Sequence, residues 1–485
     1  MPDSEKLTAY ELVIGLVSPT GVNLQRVCEL INEKLKAFGY STSIIKVSEK
    51  IIPRFVTSGD STGEAHVDRT NRLMTEGDIA RQRSERDDIL AIGAARAIYD
   101  SRTKTTKPEK EEAQPHFAHA TIIRQLKHPT EVKFLCDTYG NGFFLFGVTA
   151  PEDIRRRYLQ DEKHVPQAEV DKLFERDLDE GLDHGQKVSE TFHLSDFFIV
   201  WDEDDGHLRA QVNRSIEVVF GNPFETPTFD EFAMYMAFTS SARSADLSRQ
   251  VGAVVTRDDE ILSVGLNDSP KFGGGLYIRQ YDNTSKKYVE QHPKGRDYQL
   301  GYDANKMELR KLTEKVLSRA SEKVREVING FKIPELVTAG LWERIQEELS
   351  LTLQKGPLSH LTEFGRSVHA EMEAILSCAR RGVAVKGATL YSTTFPCHNC
   401  AKHIVAAGIK RVVYVEPYMK SKAAELHADS VEHCPPGGQL SDDSEKVQLE
   451  PFVGVGPRRF IDFFSLRLGG GGKLKRKGDN DSALL

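Results

Sequence analysis

Two short motifs set the strongest constraint on what this chain can fold into. His369-Ala370-Glu371 and, after 24 intervening residues, Pro396-Cys397-His398-Asn399-Cys400 supply one imidazole, one carboxylate and two thiols. Two thiolates and an imidazole make three ligands for a tetrahedral zinc ion and leave the fourth position to water, as in a reactive site rather than a closed structural one. The fold must therefore converge both motifs on one point. Local patterning supports this, with helix expected over Val368 to Arg381, strand over Ala388 to Thr393, helix over Cys397 to Ala407 and strand over Arg411 to Val415. Cysteines at a helix start gain thiolate character from the dipole, and the Cys-x-x-Cys spacing turns both sulfurs to one side.

The remaining cysteines, Cys28, Cys136, Cys378 and Cys434, are scattered and do not suggest a disulfide framework. No apolar run approaches membrane-spanning length, and the first ten residues lack the apolar segment of a secretory signal, so a cytoplasmic location without membrane association is expected. The net charge of −7 argues against a protein whose main task is wrapping a polyanion. At 485 residues the chain should hold more than one domain.

The opening reads as β-α-β: a strand over Glu11 to Val17, the turn SPTG, apolar residues Leu24, Val27, Ile31, Leu35 and Phe38 at helical spacing, then a strand over Ser41 to Val47. Apolar runs FFLFGV (Phe143 to Val148) and FFIVW (Phe197 to Trp201) read as strands of the same sheet, covered on both faces. The segment Ser101 to Gln114 has almost no apolar content and reads as a surface loop. The Pro-rich NPFETPTF (Asn222 to Phe229) places a domain border near residue 225. Beyond it come a helix, a hairpin of Gln250 to Thr256 with Glu260 to Leu266, and a polar, helix-prone insert over 279–366. The expected organisation is an α/β parallel-sheet domain resembling P-loop kinases over 1–225, a three-layer α/β/α domain over 226–440, and an extension with a flexible basic tail over 441–485.

The H-x-E and P-C-x-x-C pair matches the signature of zinc-dependent nucleobase deaminases. His369, Cys397 and Cys400 are then the ligands of one zinc ion per chain, and Glu371 is the proton shuttle serving the attacking water and the leaving amine. The alternatives are a zinc that only staples the fold, or a reduced cysteine pair beside a packed histidine. RSADLSRQVGAVV (Arg243 to Val255), SVGLNDSP (Ser263 to Pro270), HAEMEAI (His369 to Ile375) and LYSTTFPCHNCAKHIVAAGIKRVVYVEPY (Leu390 to Tyr418) together resemble the deoxycytidylate deaminases. That resemblance implies that Asn267 contacts the nucleotide sugar. Leu266 and Asp268 replace the family's aromatic and glycine in that turn, and Glu373 stands where the family often has asparagine.

Taken with KSKAAELHADS (Lys420 to Ser430) and PFVGVGPRRFIDFF (Pro451 to Phe464), nearly the whole chain resembles the bacterial anti-phage dCTP deaminases. This implies conversion of dCTP or dCMP to uracil nucleotides, depletion of a DNA precursor during infection and, as in some of those enzymes, restraint by a small RNA; the resemblance to deoxycytidylate deaminases implies a homo-oligomer, often a hexamer. A substrate phosphate calls for cations, and Arg243 and Arg249 with Ser244 are the candidates. A deaminase acting on RNA or single-stranded DNA is the alternative enzyme.

Gly15-Leu16-Val17-Ser18-Pro19-Thr20-Gly21 sits between strand and helix, where a phosphate cradle belongs, but Val22 follows in place of a P-loop lysine. Gly15, Ser18 and Gly21 are thus candidates for binding a nucleotide or phosphate, with phosphoryl transfer not expected; the alternative is a retained fold used for regulation or assembly. Arg69, Arg72, Arg81 and Arg83 read either as a cationic lid or as a solvated helix face.

Overall fold

A computed structural model describes residues 10–56, 63–105, 116–178, 185–330, 363–416, 421–435 and 445–465, with a few positions between 344 and 353. The basic tail expected after Gly472 and most of the polar loop after Ser101 lie outside the described residues. Among those described, no helix is long and apolar enough to cross a membrane.

The chain divides into two compact units, one formed by residues 1–235, 411–419 and 428–485, the other by 236–410 and 420–427. The first is thus closed by the late segments of the chain and does not end at a single border near residue 225.

In the first unit, strands β1 (Leu12–Val17), β2 (Ser41–Lys46), β3 (His119–Arg124), β4 (Phe143–Thr149), β5 (Phe197–Val200) and β14 (Gly454–Val455) form one sheet in the order β14-β5-β4-β1-β3-β2. The first five are parallel, and β14 joins antiparallel to β5. Alternation explains the burial on both faces. Leu12, Ile14 and Leu16 share one apolar cluster with α1 (Leu24–Ala37) and α8 (Asp205–Val219), while Val13 and Val17 on the other face are just as fully buried. The sequence did not disclose β3 or the short β14.

The same unit includes β11 (Arg411–Glu416), β13 (Val447–Pro451) and β12 (Val431–His433), paired in parallel. Arg411 donates to Asp230 at 2.7 and 2.9 Å and to Glu450 at 2.8 and 3.0 Å. Glu231 is fully buried and accepts from Arg214 and from the backbone of Thr228 and Val455.

The second unit is built on an antiparallel trio, with β6 (Gly252–Arg257) between β7 (Glu260–Leu266) and β10 (Thr389–Thr394). The turn of the expected hairpin places Asp258 and Asp259 at φ +52° and +58°. The helix over Ala370–Arg380 (here α12) lies against β7, and that over His398–Ala407 (here α13) follows β10. Two glycines permit these layers to close. A Cβ on Gly252 would stand 1.9 Å from the Ala237 carbonyl oxygen, and one on Gly265 2.1 Å from that of Ala370. The insert begins with a small hairpin, β8 (Arg279–Asp282) with β9 (Lys287–Glu290), followed by a helix over Ala304–Gly330.

Candidate metal centre and its surroundings

Both halves of the metal motif sit at helix starts. His369 is the N-cap of α12 and Cys397 the N-cap of α13, each in extended backbone conformation, so their side chains leave the helix ends toward one another. His369 Nδ1 lies 3.3 Å from Cys397 Sγ and 3.3 Å from Cys400 Sγ. With Zn–S near 2.3 Å and Zn–N near 2.0–2.1 Å, a tetrahedral site has an N···S edge of about 3.5 Å. The donors fit zinc, and all three ligand atoms fall within 4.8 Å of one another.

Glu371 occupies the first turn of α12 and is buried, with its carboxylate 3.3 Å from the Cys400 sulfur. Burial raises its pKa, and the neighbouring Cys397 thiolate adds to the effect. In the metal-free donor set the hydrogen bond from Cys400 holds Cys397 down to about 4. That thiolate in turn holds His369 up to about 9. Cys400, whose thiol donates to the Cys397 thiolate and is buried, is held well above the usual thiol range. Metal binding to such a set displaces protons, as expected when ligands must be deprotonated.

The turn after β7 is joined to the start of α12 by an antiparallel bridge between Asp268 and Val368. Asn267, expected at the sugar, braces the backbone: its Oδ1 accepts from Val251 N–H at 2.7 Å and its Nδ2 donates to Arg249 O at 2.7 Å. Ser244 is buried and donates to Asn267 O at 2.6 Å. Arg243 and Arg249 are exposed on the same segment. Glu373, one turn along α12, is buried and pairs with Arg380 at 2.5 Å.

Sequence reasoning did not foresee three contacts near this site. Asp246 accepts from Ser367 Oγ at 2.8 Å, two residues before His369. Thr393 Oγ1 accepts from Gly252 N–H at 3.2 Å. Asp268 is buried and meets Arg296 of the insert at 3.0 Å, and Arg296 also donates to Tyr277 O at 2.6 Å. The Leu266–Asp268 departure from the family turn was the available signal, since a buried aspartate demands a cation. Its partner, from elsewhere in the chain, carried none.

The first-unit candidates separate. Gly15 lies inside β1, where a Cβ would meet Leu126 at 2.8 Å and Phe143 at 3.0 Å, so its smallness serves packing. Gly21 holds φ +93° in the turn, close against the Arg155 backbone. Ser18 is fully buried.

Residues 227–416 match the family model described as the cytidine and deoxycytidylate deaminase zinc-binding region. The deoxycytidylate deaminase of Enterobacteria phage T4 is 33% identical over 191 residues, which is 39% of this chain and 78% of that protein. That of Enterobacteria phage T2 is 32% identical over 191 residues, or 39% of this chain and 80% of that protein. ComE operon protein 2 of Bacillus subtilis (strain 168) is 53% identical over 53 residues, covering 11% of this chain and 28% of that protein. With a histidine and two cysteines brought to one point at helix starts and a carboxylate buried beside them, the chain belongs to the deoxycytidylate deaminase family.

Proposed function

We propose that the protein hydrolytically deaminates the cytosine of a deoxycytidine nucleotide, dCMP or dCTP, giving the uracil nucleotide and ammonia. The observation that carries this reading is the buried Glu371 carboxylate beside a three-donor set that leaves a zinc ion one open position. His369, Cys397 and Cys400 would hold the metal, which when bound supplies a Lewis acid that lowers the pKa of a water. Glu371 accepts a proton from the attacking water and returns protons to the ring nitrogen and the departing amine. The water oxygen bonds to C4 of the ring, the C4–N4 bond breaks, and ammonia leaves. Burial of Glu371 suits this role, because loss of solvent raises the pKa of its carboxyl and so makes it a better proton acceptor than an exposed carboxylate.

Asn267 supports the substrate wall by fixing the backbone from Arg249 to Val251, and Ser244 holds Asn267 by its carbonyl, with Arg243 and Arg249 as candidates for the phosphate. Depletion of deoxycytidine nucleotides in phage defence is the physiological reading, supported by the resemblance of the whole chain to the anti-phage enzymes. Restraint by a small RNA rests on the same resemblance and a homo-oligomer on that to the deoxycytidylate deaminases, and RNA recovered with the purified protein and its native mass test them.

The decisive experiment offers the zinc-loaded protein dCMP, dCTP, CTP and deoxycytidine and measures uracil product. Glu371→Gln should keep zinc content and melting temperature while turnover falls by about 10²–10⁴, and cells carrying it should lose protection against phage. Full turnover in Glu371→Gln, or no uracil product from zinc-loaded wild type, would overturn the assignment.

A further inference from the structure

The first unit contains a second polar site remote in sequence from the metal motif. Beyond the carboxyl ends of β1, β3 and β2 lies a cavity of about 430 Å³, bounded by Thr20, Gly21 and Val22 of the first turn and by the α2 helix (His66–Ser84). Such strand ends are where open parallel sheets commonly place ligands, and the volume suits a small molecule. Lys46 and Arg124 face one another in register as the last residues of β2 and β3.

The lining is strongly cationic: Lys46, Arg69, Arg81, Arg124, Lys127 and Lys163 surround the space, with Glu49 the acidic side chain in it. Glu49 is shared by Lys46 at 3.2 Å and Arg69 at 3.1 Å. Arg124 is met by the Gln25 amide oxygen at 3.3 Å, and Lys163 lies 4.9 Å over the Tyr158 ring. Among the described residues neither has a carboxylate within ion-pair distance. Arg81 is 2% exposed, paired with Asp78 and Glu131, and its Nε is left without a hydrogen-bond partner. His66, also in the lining, has its pKa lowered by burial and then by Lys163 and Arg69, as expected in a positive field.

The strand-to-helix turn itself is occupied. Asp177, 1% exposed, accepts from Thr20 N–H at 2.6 Å and from Lys127 Nζ at 2.7 Å, while Lys127 also donates to Ser18 O at 3.0 Å. A backbone N–H and a lysine converging on an anion is how such turns hold a phosphate. Here the chain's own carboxylate takes that place, and Val22 stands where a P-loop has lysine.

We propose that this cavity binds a small polyphosphorylated anion, on Arg124, Lys163, Arg69 and Lys46, and holds it without phosphoryl transfer because Asp177 fills the turn. The ligand chemistry is a chain of phosphates, carried either by an inorganic polyphosphate or by a nucleoside triphosphate. Neither probe below contains cytosine, so the result is independent of the deaminase reading.

Titration calorimetry on the full chain with inorganic tripolyphosphate should show one saturable site per chain that weakens with salt. The Arg124→Gln/Lys163→Gln double variant should weaken it at least about tenfold, since each cation lost removes a charge-assisted contact. Asp177→Ala should tighten it, because the Thr20 N–H and Lys127 then have no side-chain acceptor and become available to phosphate. A tighter ATP isotherm would identify a nucleotide as the ligand, and an equal one the phosphate chain alone, either supporting the site. No saturable heat at about 1 mM tripolyphosphate, or equal affinity in the folded double variant, would overturn it. Phosphate release from ATP that disappears in the double variant would refute binding without transfer.

Discussion

Gly265→Ala tests the claim that the deaminase geometry depends on one close approach. The added methyl would stand 2.1 Å from Ala370 O, 2.5 Å from Ala374 N and 2.9 Å from Ala374 Cβ, where real Cβ atoms essentially never come under 3.0 Å. The obstacle is helix backbone, so no side chain can swing aside. The start of α12 must retreat by about 1 Å, at a cost of about 1–3 kcal/mol for overpacking. Ala370 lies between His369 and Glu371, so the retreat carries the proposed metal ligand and the proposed proton shuttle with it. A misplacement of about 1 Å in a reacting group can lower the rate about 100-fold. The variant should therefore melt lower and lose about two orders of magnitude in kcat/KM for dCMP, with zinc per chain measured alongside. Gly382→Ala is the control just past the far end of the same helix: φ is +69° with nothing within 4 Å of the new Cβ. It should cost about 1–2 kcal/mol of left-handed strain and leave kcat/KM near wild type. Wild-type turnover in Gly265→Ala, or equal loss in the two variants, would refute the reasoning.

Three further outcomes are expected. Arg411→Leu leaves the carboxylates of Asp230 and Glu450 without their shared cation, and Glu450 is 1% exposed. Denaturant unfolding should record a loss of about 3–5 kcal/mol, and a loss under about 1 kcal/mol would show the pair to be solvent-screened. Burial lifts Asp196 from 3.8 to about 6, which corresponds to about 3 kcal/mol. Because the folded state binds the proton more tightly, that contribution is full below pH 3.8 and is lost as pH rises through about 6. Asp196→Asn still accepts the Leu145 N–H, so it should flatten this part of the stability profile between pH 4 and 7 (about 3 kcal/mol across it), and parallel profiles would count against the assignment. Removing the metal with a chelator should abolish turnover, with recovery on adding zinc but not magnesium, which prefers oxygen ligands; activity surviving verified demetallation would exclude the three-donor site from catalysis.

The sequence alone determined the His/Cys/Cys donor set, its helix-strand-helix-strand setting and the parallel opening of the first unit. Each is written in residue chemistry or in short periodicity: His-x-Glu and Cys-x-x-Cys name the donors by residue type and spacing, and an uninterrupted apolar run such as Phe143 to Val148 must be covered on both faces. Tertiary structure decided which polar groups meet. Asp177 on Thr20 N–H, Asp268 against Arg296, and Arg411 between Asp230 and Glu450 join residues far apart in the chain. No local pattern encodes such pairs, because burial of a carboxylate is tolerable only after a distant cation or N–H arrives, and loop closure decides which one does. Asn267 illustrates the difference. The family resemblance implies a contact with the substrate sugar, and only the folded structure shows that its side chain also holds the backbone from Arg249 to Val251 in place.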